Sequence, residues 1–186
     1  AVGLAATRST APMIEAYLTT LDVSPPPPAV VLTEKVGGTG GNPYVRSCDA
    51  TSVAVGLIAS PGLFEGPNIG GVVIVCAPIV FGPLGAVALG VPATNLALVG
   101  DTAGGAGSPL SCASGSVITG LQGSTKPVFG GADTVVENLT LQCTPVSPGA
   151  TVLVGPFGAG NTIPFNLPCP AGTVMRGLEG RADYLL

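Results

Sequence analysis

The sequence predicts an all-β protein of tandem small-sheet units, each stapled by a disulfide, and three observations carry that prediction. Apolar residues make up 46% of the chain. They fall in short runs, Ala29 to Leu32, Val72 to Cys76 and Thr151 to Val154, bounded by glycine and proline as buried strands are. The 29 glycines and 19 prolines recur too closely for a helix of more than about two turns. Only residues 11 to 21, with Met13, Ile14, Tyr17 and Leu18, show mild helical spacing, and they are the repeat equivalent of a closing strand. The third observation is a repeated spacing. Cys48, Cys112 and Cys169 are each followed, after seven intervening residues, by Gly-Leu: Gly56-Leu57, Gly120-Leu121 and Gly177-Leu178.

Each complete unit reads in the same order. A glycine-rich lead-in (Val36 to Gly41, Val99 to Gly107, Val154 to Gly160) supplies turns in which glycine takes positive φ. A strand then runs into the first cysteine, a second strand carries Gly-Leu, and a variable loop leads to a closing strand that ends in cysteine. The closing strands are Val72 to Cys76 and Leu139 to Cys143. The expected organisation is a partial unit at 1–22, a polyproline linker at 23–30, a unit at 31–80, a Gly/Pro-rich connection at 81–95, a unit at 96–146 and a partial unit at 147–186. Ala1-Val2-Gly3-Leu4 matches Ala54-Val55-Gly56-Leu57, so the chain reads as a window on a longer repetitive protein. Three or four strands per unit make a sheet with no core of its own, so units are expected to pack on one another. The two partial units are complementary, which fits either truncation or head-to-tail strand addition into a filament.

The cysteines read as staples. Cys48 pairs economically with Cys76 and Cys112 with Cys143, at separations of 28 and 31 residues, leaving Cys169 without a partner in the chain. Closing a loop of that size stabilises a unit by about 3 kcal/mol in the chain-entropy account, and one disulfide per repeat implies an oxidising compartment. With no histidine and no Cys-x-x-Cys pair, no metal site and no cofactor are expected.

This combination resembles the jacalin-related lectins and, through its cysteines, the vitelline-membrane outer-layer proteins. Both form β-prisms of three Greek-key sheets. The resemblance is clearest from Arg176 to Leu186, which is similar to the Gly-Arg-Ser-Gly stretch leading to Leu-Asp-Ala-Ile-Gly in those lectins. It implies a β-prism-like fold, with β-sandwich repeats as the alternative. It also implies a sugar-holding aspartate near the end of that motif, so Asp183 is a candidate. At the equivalent place the other copies carry Glu137, Gly70 and, at the N-terminus, Glu15. A carboxylate there either accepts from two sugar hydroxyls or is simply a solvated glutamate beside a strand.

Two further motifs concern sugars attached to the chain. Ser24-Pro25-Pro26-Pro27-Pro28 resembles the extensin repeat of plant and green-algal wall glycoproteins, which is hydroxylated and arabinosylated. Physically it is a polyproline II rod of about 12 Å, glycosylated or a plain spacer. Asn138-Leu139-Thr140 is an N-glycosylation sequon. Strand alternation predicts Leu139 and Leu141 inside, with Asn138 and Thr140 outside.

Composition narrows the function. Six basic and ten acidic residues give a net charge of −4, and no basic cluster exists to neutralise phosphates, so nucleic acid is not an expected partner. So few charges leave hydroxyls, attached sugars or burial against copies of itself to keep the chain soluble. Residues 66 to 100 lack charge, but Pro67, Pro78, Pro83 and Pro92 would break a spanning helix, so no membrane span is expected. Without histidine the commonest nucleophile–base systems are absent, the carboxylates are scattered, and no catalytic residue is assigned. Two classes remain: an extracellular structural glycoprotein that self-associates in a filament, sheath or wall layer, and a carbohydrate-binding module. The first is favoured by tandem repeats, low charge and the polyproline spacer, and by the absence of tryptophan as a sugar-stacking platform.

Overall fold

The structure, a computed structural model, describes residues 33–34, 36, 41–62, 68–83, 86–92, 94–100 and 104–182. The chain divides after Leu32, and the fold below is that of the part from Thr33 onward. Twelve strands are described: β1 (Asn42–Ser47), β2 (Ser52–Gly62), β3 (Asn68–Phe81), β4 (Val87–Leu89), β5 (Thr94–Asn95), β6 (Val99–Gly100), β7 (Ser108–Ser111), β8 (Ser116–Val128), β9 (Asp133–Pro145), β10 (Val152–Gly158), β11 (Ile163–Pro168) and β12 (Gly177–Ala182). The helical turn at Phe129–Gly131 is three residues long.

The strands form three sheets: β1-β12, β10-β9-β8-β11, and β4-β3-β2-β7 with β5 and β6 also on β3. Every pairing is antiparallel. The fold is an all-β prism in which consecutive repeats interlock rather than form separate sheets. Each unit's Gly-Leu strand and closing strand make a hairpin, β2-β3 and β8-β9. The strand that runs into the next unit's first cysteine then pairs with the Gly-Leu strand: β7 on β2, β11 on β8 and, closing the circle, β1 on β12. Three backbone bonds repeat this exchange: Cys112 N–H to Val55 O at 2.9 Å, Cys169 N–H to Thr119 O at 2.8 Å and Cys48 N–H to Arg176 O at 2.8 Å.

That exchange explains the Gly-Leu motif. A Cβ on Gly56 would lie 2.8 Å from Leu110 O, one on Gly120 would lie 3.0 Å from Leu167 O, and one on Gly177 would collide with Arg46 O. In each case the obstacle is the incoming strand, two residues before its cysteine. The following leucines, Leu57, Leu121 and Leu178, turn to the core with Ala54, Ile74, Ile118, Leu139, Leu141 and Met175. Ala54, Ile118 and Met175 meet at the axis of the prism, where Ala54 N–H donates to Met175 O at 3.0 Å and Met175 N–H to Ile118 O at 2.9 Å. The disulfides join the same cluster. Cys48 is bonded to Cys76 and Cys112 to Cys143, with Cα separations of 5.8 and 5.5 Å, and Cys169 is a half-buried free thiol.

The uncharged stretch 66–100 supplies β3 to β6, and no described helix is long and apolar enough to cross a membrane. The connection at 81–95 holds two short strands, β4 and β5, which pair with β3. Glu15, Asp183 and Ser24 to Pro28 lie outside the described residues.

Candidate functional site

One end of the four-stranded sheet gathers the most polar chemistry in the described structure. The loop from β10 to β11 crosses it, and the β8–β9 hairpin extends past it to the turn at Phe129–Gly131. Strand register brings Gly158 opposite Asn138, Asn138 opposite Ser124 and Ile163 opposite Thr125, so residues 159–162 bridge the hairpin at one level. The loop needs its glycines. Gly158 and Gly160 have φ of 88° and 107°, and a Cβ on Gly160 would sit 2.5 Å from Glu137 Oε1.

Glu137 is the centre of this arrangement and is 6% exposed. Its Oε2 accepts from Ser124 Oγ at 3.0 Å and from Thr162 N–H at 2.9 Å, and its Oε1 accepts from Thr162 Oγ1 at 3.0 Å. Burial pushes its pKa up, but hydrogen bonds from the Thr162 amide and the Ser124 and Thr162 hydroxyls, with Lys126 nearby, outweigh it and hold the carboxyl below its ordinary range. Asn138 completes the cluster by donating from Nδ2 to Ser124 Oγ and to Gly160 O. Both carboxylate oxygens are thus engaged within the chain, and what Glu137 does chemically is fix the loop. Side chains exposed at this end include Asn161 and Thr162 on the loop and Phe129 on the hairpin turn. Phe129 is 60% exposed at a φ of 52°, a conformation that side chains other than glycine seldom adopt.

At the sequon, Asn138 is half-buried and its amide nitrogen already donates twice. Leu139 and Leu141 are buried as strand alternation predicts, but Thr140 is buried too, at 8% exposure, rather than outside. The cause is β10: its bulge between Val154 and Phe157 lays Gly155 over Thr140, whose Cα lies 3.2 Å from where a Gly155 Cβ would be. Gly70, the third equivalent position, presses against Gly62, leaving no room for a side chain. Asn161, Thr162 and Phe129 were not singled out by sequence, because only the folded register brings the loop and the turn to one end. Among the described residues no three His, Cys, Asp or Glu side chains are grouped to hold a metal ion.

No family model matches the chain, and no curated protein matches its sequence. Solved structures do match its fold. A lectin from Malaysian banana has 23% sequence identity and a TM-score of 0.52, over 82% of this chain and 88% of that one. The Calsepa lectin, in complex with a biantennary N-glycan, has 16% identity and a TM-score of 0.53, over 84% and 92%. A mannose-specific jacalin-related lectin from Morus nigra, in complex with mannose, has 18% identity and a TM-score of 0.52, over 84% and 90%. The fold is therefore the jacalin-like β-prism.

Proposed function

We propose that this protein is a non-enzymatic extracellular carbohydrate-binding module that takes a glycan at the prism end formed by the 159–162 loop and the Phe129 turn. The observation that carries this reading is the prism itself, shared over more than four fifths of the chain with lectins solved with mannose and with an N-glycan. The site supplies suitable chemistry. The Asn161 amide offers donors and an acceptor for sugar hydroxyls, the Thr162 hydroxyl oxygen can accept while it donates to Glu137, and the exposed Phe129 ring offers an apolar face for a sugar ring. Glu137 acts beneath them as a positioning residue, keeping the loop in one conformation before a ligand arrives. Two disulfides support the extracellular placement.

The fluorescently labelled chain on a glycan array, competed with free monosaccharide, tests this reading. Binding that Asn161→Ala or Phe129→Ala weakens at least tenfold, with unchanged melting temperature, supports it. Binding to no glycan, or binding indifferent to both variants, refutes it.

Self-association in a structural layer has separate support in exposed apolar side chains. Val45, Phe81 and Val91 are 65%, 74% and 81% exposed. The comparisons favour the carbohydrate reading over the filament. Sedimentation at rising concentration separates the two, since a strictly monomeric chain leaves nothing to the filament.

A further inference from the structure

The four-stranded sheet carries on its outer face a second set of polar groups, which the loop site does not use. Leu121, Leu139, Leu141 and Phe165 pack in the core, so alternation turns Gln122 on β8, Gln142 on β9 and Asn166 on β11 to the other face. Asn166 lies opposite Gln122. Gln142 reaches over Gly120, where a Cβ would sit 2.5 Å from its Oε1, and donates from Nε2 to Asn166 Oδ1. Further along the same face the Thr119 and Thr144 hydroxyl oxygens lie 2.7 Å apart, and those of Thr144 and Thr151 lie 2.8 Å apart. Asn166 and Thr151 are exposed, the other four are half-buried, and none is charged.

The prism contains its own comparison for this face. In the six-stranded sheet Ile58 follows Gly-Leu, Val75 precedes the closing cysteine, and Pro109 stands three places before the next unit's first cysteine. The same three places in the four-stranded sheet hold Gln122, Gln142 and Asn166. Their backbone pairing is the same. Ile58 faces Pro109 as Gln122 faces Asn166, and Val75 faces Gly56 as Gln142 faces Gly120. The fold therefore accepts apolar side chains at these places and has no need of amides there.

The amides also adjoin the loop. Ser124 and Asn138, which the 159–162 loop covers, lie two positions from Gln122 and four from Gly120 along the strand. At about 3.4 Å per residue, the polar stripe runs about 14 Å from the loop to the Gly120 row. Leu153 and Pro168, both exposed, flank that row from β10 and β11.

We infer that this stripe continues the glycan site, so that the ligand is a neutral oligosaccharide whose chain runs from the loop along β8 and β9. The inference rests on the carbohydrate reading of the loop and names its ligand class. With its Nε2 fixed to Asn166, Gln142 keeps Oε1 as an acceptor and Asn166 keeps Nδ2 as a donor, the pair that a sugar's neighbouring hydroxyls require. Hydrogen bonding within the stripe holds these groups in place before a ligand arrives, which lowers the ordering cost of binding. Leu153 and Pro168 offer apolar contact to the C–H faces of the rings. A monosaccharide at the loop reaches none of this. Length is therefore what the stripe recognises.

Titration calorimetry tests this with neutral homo-oligosaccharides of glucose, mannose, galactose and N-acetylglucosamine, one to six units long. Wild type is compared with Asn161→Ala and with the double variant Gln122→Ile, Gln142→Val, which installs the residues of the six-stranded sheet. Two net hydrogen bonds are enough for about a tenfold gain, so in at least one series affinity should rise by that much or more from one unit to four. The double variant should lose the gain, keep its affinity for the monosaccharide and unfold at no lower urea concentration. Asn161→Ala should weaken every length alike. In wild-type amide NMR spectra the side-chain signals of Gln142 and Asn166 should move with the tetramer and stay still with the monomer. Affinity independent of length, or a gain that survives the double variant while those signals stay still, overturns the inference and leaves the loop site standing. Binding of no sugar at any length overturns it together with the carbohydrate reading.

Discussion

Replacing Glu137 by glutamine should destabilise the protein at neutral pH by about 2–3 kcal/mol, and the loss should disappear in acid. The carboxylate accepts three hydrogen bonds, two from Thr162 and one from the fully buried Ser124. A hydrogen bond to a charged group contributes about 1.5–3 kcal/mol. Thr162 is exposed, so its released groups regain water and only part of their contribution is lost. Ser124 cannot reach water, and its bond dominates the sum. For a unit of this size such a loss lowers Tm by about 4–12 °C. The folded pKa of Glu137 lies below its ordinary value of 4.5, so its contribution is present above pH 4.5 and fades as pH falls through the folded value. Urea denaturation of wild type and Glu137→Gln at pH 7 and near pH 3 measures this directly. The expected result is a clear gap at pH 7 that narrows at pH 3, with faster exchange of the Thr162 amide in the variant. An equal gap at both pH values, or none at pH 7, would refute the assignment of Glu137 as the charged anchor of the loop.

Further outcomes test the prism. Gly120→Ala should cost about 1–3 kcal/mol with an unchanged m-value, because its Cβ would meet Gln142 Oε1 at 2.5 Å and Leu167 O at 3.0 Å. Gly115→Ala, at a φ of 74° with nothing within 4 Å, should cost only the backbone strain of about 1 kcal/mol. Replacing both Cys112 and Cys143 by serine should lower stability by about 3 kcal/mol, read from the urea midpoint. Ile118→Ala, at a fully buried axial position, should cost about 2–5 kcal/mol, whereas Val91→Ala, 81% exposed, should fall within about 0.5 kcal/mol of wild type.

Local sequence pattern carries part of this fold and leaves the long-range part unmarked. The repeat, its strands and its cysteine positions follow from spacings within about thirty residues, and a β-unit with that punctuation has few ways to fold. The purpose of the Gly-Leu glycine does not follow from any local pattern. Gly120 gives way to Leu167, almost fifty positions on, and Gly177 to Arg46, far back in the chain. Period-2 alternation places Leu139 and Leu141 in the core but misplaces Thr140, because alternation within β9 carries no sign of the bulge in the neighbouring β10 that brings Gly155 against it. Glu137 shows the same limit in electrostatic form. Its partners lie 13 and 25 residues away, on a strand and on a loop, and both meet it only because the β8–β9 register and the β10–β11 crossing agree. A lone glutamate in a strand gives no sign of that agreement. What the sequence does carry is the glycine at position 160, where any side chain would overlap the carboxylate. Glycine at 160 and glutamate at 137 are therefore one feature, and each should tolerate replacement better when the other is changed: Gly160→Ala combined with Glu137→Ala should lose less stability than the two single variants summed, by about 0.5–3 kcal/mol in a double-mutant cycle. Strict additivity would show that the loop and the carboxylate are held independently.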